Sequence, residues 1–161
     1  MKFIVLLVFT ISSLGLFAQT IPSVDLKTLD GTTVNIQEFS NNGKITVLSF
    51  WATWCAPCKR ELDIISKVYD SWQKDYNAEL IAISIDEERV LPRVKSMVKS
   101  KDWKYTVLSD MNQELMSGLE FQSVPMTFLV NQDGKVVYTH AGFAAGDEKE
   151  LEEKIKELAG K

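Results

Sequence analysis

Two nearly unbroken apolar runs organise the chain. Ile45 to Trp51 (Ile-Thr-Val-Leu-Ser-Phe-Trp) and Glu79 to Ile85 (Glu-Leu-Ile-Ala-Ile-Ser-Ile) are short and bounded by turn signals. Such runs suit strands buried on both faces of a parallel sheet. Between them Leu62, Ile65, Val68, Tyr69 and Trp72 recur at helical spacing and predict one helix. Val90, Val94, Met97 and Val98 mark a second helix, with Pro92 tolerated in its first turn. Thr106 to Leu108 reads as a brief strand and Met111 to Leu119 as a short helix. Met126 to Val130 and Val136 to Thr139 flank Asn131-Gln132-Asp133-Gly134, a hairpin signal, and Leu151, Ile155 and Leu158 give a closing amphipathic helix. Upstream, Val24 to Ile36 alternates around Asp30-Gly31 and predicts another hairpin. The order strand, helix, strand, helix, strand, helix, hairpin, helix implies an α/β fold: a central mixed sheet with helices on both faces.

The amino terminus departs from this pattern. Met1-Lys2 precedes an apolar stretch from Phe3 to Phe17, and then Ala18-Gln19-Thr20 follows. This is the layout of a secretory signal peptide. Residues 1–18 are therefore expected to be a leader and 19–161 the domain. Leu16 at the −3 position is less suited to cleavage than alanine. The competing reading is an uncleaved membrane anchor. Thr10, Ser12 and Ser13 interrupt the stretch, and a spanning helix wants about 20 apolar residues. The expected location is the bacterial periplasm or cell envelope. Hydrophobic residues make up 45% of the chain and charged residues 25%, values that exclude a disordered or disulfide-dense protein. The net charge is −4, from 18 basic against 22 acidic side chains, so nucleic-acid binding through a basic field is not expected.

The chemistry rests on two cysteines. Trp51-Ala52-Thr53-Trp54-Cys55-Ala56-Pro57-Cys58-Lys59 lies between the first buried strand and its helix. With Pro57 preset for helix, the helix should start near Ala56. Cys55 then meets the unsatisfied amides and positive end of the helix, which stabilise a thiolate. Cys58 lies one turn on, close enough to pair and more shielded. The reading is that a solvent-reachable Cys55 attacks a substrate disulfide and Cys58 resolves the mixed disulfide. Zinc needs about four ligands, and only His140 remains as a third N/S ligand, so no metal is expected. A structural disulfide is the competing reading. Trp54 is expected to line the substrate face with Ala56 and Pro57, and Trp51 to pack in the core. His140 is expected to be solvated or satisfied, and the basic residues from Arg89 to Lys104 to form a solvated helix face.

From Phe50 to Lys59 the sequence resembles the active-site stretch of thioredoxins. Ser123-Val124-Pro125-Met126-Thr127-Phe128-Leu129-Val130 with Asp133-Gly134-Lys135 is similar to that family's cis-proline loop and final hairpin. The added helix and strand, about Val90 to Leu108, and the amino-terminal hairpin resemble the TlpA/ResA-like branch of envelope thiol–disulfide oxidoreductases. The resemblance spans roughly residues 21 to 160. It implies a thioredoxin-like fold, a cis Val124–Pro125 bond beside the disulfide, and pairing of the Val124 backbone with an extended substrate. Thioredoxins carry a buried acid where this chain has Ser49. The branch instead has a carboxylate after the second strand, here Glu87, which is expected to serve Cys58 as proton acceptor. The competing reading is that Asp86, Glu87 and Glu88 cap and charge the next helix.

The function expected is reduction of exported protein disulfides, with cytochrome c maturation as one family role and cell redox homeostasis as the setting. Electrons would come from a membrane donor of thiol-reductase type; no cofactor is implied, and a monomer is expected. The alternatives are a peroxiredoxin-like thiol peroxidase, whose Pro-x-x-x-Thr/Ser-x-x-Cys pattern neither cysteine shows, and a redox-inert binding module.

Overall fold

The computed structural model describes residues 19–161, so the expected leader, residues 1–18, lies outside the described residues. In chain order the elements are β1 (Asp25–Thr28), β2 (Thr33–Asn35), α1 (Gln37–Ser40), β3 (Ile45–Trp51), α2 (Ala56–Ile65), α3 (Tyr69–Tyr76) and β4 (Ala78–Ser84). A turn of 3₁₀ helix (Glu88–Val90) leads into α4 (Leu91–Lys101), followed by β5 (Thr106–Ser109), α5 (Glu114–Gly118), β6 (Met126–Val130), β7 (Val136–Ala141) and α6 (Asp147–Ala159).

The strands form one seven-stranded mixed sheet in the order β2-β1-β5-β4-β3-β6-β7. Every residue of β3 and β4 is buried, because both strands are flanked by neighbours and covered on both faces. They pair in parallel, Ile45 opposite Ala78 through Trp51 opposite Ser84. Parallel β3 and β4 require a crossover, which α2 and α3 supply. β6 runs antiparallel to β3 and places Thr127 opposite Ser49 and Phe128 opposite Leu48.

Strand alternation sorts these residues between two cores. On one face Phe50 packs edge to face against Phe121 and Phe128, and Phe121 lies tilted on Phe128, with centroids 4.7 to 5.9 Å apart. On the other, Trp51 meets Trp103 at 5.1 Å, under α2 and the segment after α4. Asp63 of α2 fixes that side: it accepts from Trp103 Nε1 at 3.1 Å and pairs with Lys101 at the end of α4 at 2.5 Å.

The single helix expected through Trp72 is two helices. Lys67 N–H donates to Ile64 O and Val68 N–H to Ile65 O, the tighter i→i+3 pattern that closes a helix. The apolar spacing continues across the break, so periodicity alone did not mark it. Gly134, in the β6–β7 turn, is required twice over. Its φ is +76°, and a Cβ there would run into the Asn41 side chain.

Candidate active site

Cys55 occupies the N-cap of α2, with extended backbone (φ −82°, ψ 100°). Its Sγ accepts from the Cys58 amide at 3.3 Å, so the cap is made by sulfur rather than oxygen, and Pro57 fills the first turn as its fixed φ allows. Cys55 and Cys58 form a disulfide. Cys58 is fully covered and Cys55 is 3% exposed. The expected solvent-reachable Cys55 is therefore nearly covered in this oxidised state, while remaining the more accessible sulfur of the two.

The loop before the helix is pinned from β4. Asp86 is buried and accepts from the Thr53 amide at 2.8 Å, the Thr53 hydroxyl at 2.9 Å and the Ser84 hydroxyl at 2.9 Å. Lys59 Nζ returns from the helix to Thr53 O at 3.0 Å. With Thr53 held on both sides, Trp54 projects outward at 66% exposure, an outlying aromatic beside the disulfide. A groove lined by Trp54, Ile85, Glu87, Arg89 and Val90 runs from it. Ala56 is exposed, Pro57 and Val124 are half-buried and Pro125 is buried. The Val124–Pro125 bond is cis.

Glu87 is not the buried acid of the site. Its side chain is 63% exposed and accepts from Arg89 Nε at 2.7 Å, because the chain turns outward immediately after Asp86. The structure places it on the groove beside Trp54 rather than beneath the sulfurs.

A buried acid does stand one helical turn beyond Cys58. Glu61 is 4% exposed, and its carboxylate accepts from Thr127 Oγ1 at 2.8 Å. Its other oxygen, Oε2, has no hydrogen-bond partner among the described residues, and neither has the buried Ser49 hydroxyl. Burial pushes the Glu61 carboxyl up to about 7, against the Thr127 hydrogen bond and the charge of His140, which favour ionisation. Position 61 is i+3 from Cys58, so both side chains share one face of α2. Thr127, which holds Glu61, sits opposite Ser49 on the sheet. The acid absent at Ser49 is thus supplied from the helix above the same patch of sheet. The sequence signal was present: a glutamate within the apolar stripe formed by Cys58, Leu62 and Ile65.

Among the described residues no cluster of three or more His, Cys, Asp or Glu could hold a metal ion, and no helix is long and apolar enough to cross a membrane.

A helix-capping disulfide, a cis-proline two residues before Thr127 and a buried acid behind Cys58 are found together on the carboxyl edge of a mixed sheet. The sequence matches the model of the AhpC/TSA family over residues 17–139. The chain belongs to this family. Within this thioredoxin-like family its relatives are disulfide-exchange proteins. The chain is 31% identical to the thiol-disulfide oxidoreductase ResA of Bacillus thuringiensis subsp. konkukian over 137 residues, 85% of this chain and 75% of that one. It is likewise 31% identical to sporulation thiol-disulfide oxidoreductase A of Bacillus subtilis over 124 residues, 76% of this chain and 73% of the relative. The solution structure of a thioredoxin-like protein from Porphyromonas gingivalis superimposes with a TM-score of 0.77 at 40% identity, covering 87% of this chain and 92% of that one. This AhpC/TSA family member is a thiol–disulfide oxidoreductase of thioredoxin-like fold, and protein thiols are the substrate class the family implies.

Proposed function

We propose that the protein is exported through the leader at residues 1–18 and reduces disulfides of envelope proteins, receiving electrons from a membrane thiol reductase. Cys55 attacks, because its sulfur is the more exposed and sits where the helix amides stabilise a thiolate. The Cys55 thiolate bonds to one substrate sulfur and expels the other as thiolate. Glu61 then takes the Cys58 thiol proton. The Cys58 thiolate attacks Cys55, the Cys55–Cys58 bond forms, and the second substrate sulfur leaves with the electron pair. Trp54, Ala56, Pro57 and Val124 form the surface against which the substrate strand lies, with Pro125 beside the disulfide.

One observation carries the reducing direction: a buried carboxylate shares the helix face of Cys58. A negative charge in a poorly solvated place disfavours a thiolate nearby. Destabilising the dithiol's ionised form favours the disulfide and makes the pair a stronger donor. Ala56-Pro57 adds no cation between the sulfurs to oppose this. Equilibration of the purified protein with glutathione buffers tests the direction. A pair that stays oxidised in glutathione buffers poised at about −180 to −210 mV fits a reductant. A pair found reduced in those buffers would mark an oxidase.

Apocytochrome c haem-attachment sites (Cys-x-x-Cys-His) are the client class the ResA-like branch suggests. Oxidised peptides of that form should be reduced faster than the same peptide with its histidine replaced. Peroxide consumption by the dithiol at a comparable rate would instead favour the peroxidase reading.

A further inference from the structure

Beside Glu61 lies a small cavity of about 10 Å³. That is room for the centre of one water. Glu61, Thr127, Tyr138, His140, Asp147 and Glu148 line it. The lining is polar, and the buried Glu61 Oε2 has no hydrogen-bond partner among the described residues. A polar cavity with an unpartnered carboxylate oxygen is the setting in which an internal water is held.

Tyr138, His140, Asp147 and Glu148 of the lining are partly exposed, and among them His140 and Asp147 form a pair. His140 is directly opposite Thr127 in the β6–β7 ladder, so the two side chains share a face with Cβ atoms about 5 Å apart. Thr127 holds Glu61. His140 Nε2 meets Asp147 Oδ2 at 2.9 Å, and its Nδ1 meets the Tyr138 hydroxyl at 3.3 Å. Asp147 is fixed by the Ala144 amide, and the Tyr138 hydroxyl by Glu150 at 3.2 Å. The His140 and Asp147 side chains are 30% and 26% exposed. They therefore reach solvent while lining the cavity.

We propose that the His140–Asp147 pair is the outer end of a proton path that empties and refills Glu61 through a single water in this cavity. The proposal deepens the preceding reading and rests on it, since Glu61 must first take the Cys58 proton. Protonated Glu61 gives its proton to the water, and the water gives another of its protons to the pair, which releases it to solvent. In re-reduction the sequence runs backwards. His140 is a positioning residue here, for it never touches the sulfurs. Ser49 and Thr127 face Glu61 from the sheet, Tyr138 and His140 from β7, Asp147 and Glu148 from α6, and Tyr105 lies beyond Leu62. His140 is the one side chain among them that carries positive charge when protonated.

The test is single-turnover oxidation of the reduced protein by insulin, followed from pH 5 to 9. The variants are His140→Gln, His140→Ala, Glu61→Gln and the Glu61→Gln/His140→Gln double. Each histidine variant should slow resolution about tenfold, below the range of direct acid–base catalysis. Added imidazole should restore His140→Ala and leave the parent unchanged. In the Glu61→Gln background, His140→Gln should slow nothing further. Wild-type rates and pH profile in both histidine variants, with Glu61→Gln altered, would overturn the path and leave Glu61's role standing. An equal slowing by His140→Gln in both backgrounds would also overturn it. An unchanged Glu61→Gln would remove the underlying reading, and the path with it. His140→Gln keeps hydrogen-bonding capacity, so a folding failure of His140→Ala leaves the experiment decisive.

Discussion

Thr127 donates its hydroxyl to Glu61 at 2.8 Å, tying the helix that carries Cys58 to the strand that follows the cis-proline. The two residues are 66 positions apart in sequence, and this bond joins both halves of the site to one buried charge. Removing the donor while keeping the shape should make Glu61 harder to ionise. Thr127→Val is predicted to move the pH profile of the resolving step upward. An unchanged profile in stopped-flow measurements would separate Thr127 from the chemistry.

The same group makes a prediction for stability. The folded-state pKa of Glu61 is about 7, against 4.5 as its ordinary value. The folded protein therefore binds more protons than the unfolded chain between these values, and stability falls as pH rises through that window. The upper limit is about 3 kcal/mol, from roughly 1.4 kcal/mol per pH unit. Glu61→Gln should abolish this slope in thermal melts of the oxidised protein between pH 4.5 and 8. It should also gain most over the parent at the alkaline end.

Asp86 and Glu87 are adjacent yet face opposite fates. Asp86→Ala strands the Thr53 amide and hydroxyl and the Ser84 hydroxyl in the interior. Each unsatisfied buried group costs roughly 1–3 kcal/mol, and the loop presenting Trp54 and Cys55 loses its anchor. Denaturant melts should show a loss of several kcal/mol, with a slower attack step. Glu87→Gln removes only an exposed pair with Arg89, worth about 0–1 kcal/mol. It should leave both stability and the pH profile of turnover as they are.

Trp54 is the exposed aromatic of the site. Trp54→Ala should change stability by no more than about 0.5 kcal/mol, as surface substitutions do. It should raise KM for a protein disulfide while leaving the rate with dithiothreitol intact. Equal losses with both substrates would assign Trp54 to the disulfide itself rather than to substrate docking.

Much of this architecture was legible from residue pattern alone. The continuous apolar runs of β3 and β4 follow from burial on both faces, and Cys55-Ala56-Pro57-Cys58 marks the helix start where the structure has it. Two things were not legible. The pairing of β1 with β5, Lys27 opposite Ser109, is a long-range choice that no local spacing encodes. The choice of buried acid also depended on tertiary geometry. Three consecutive carboxylates at 86–88 gave no local reason to bury one and expose the next, whereas the turn after β4 decides it. Glu61 was marked by its place in an apolar stripe, but only the approach of Thr127 makes that position tolerable.

In the proposed cycle Cys55 exchanges bonds with foreign disulfides and Cys58 resolves them. Cys58→Ser and Cys55→Ser, each reduced and then mixed with an oxidised protein substrate, test it by non-reducing mass analysis. Cys58→Ser should accumulate a mixed disulfide through Cys55, and Cys55→Ser should accumulate little. Substrate trapped chiefly through Cys58, or through neither sulfur, would contradict it.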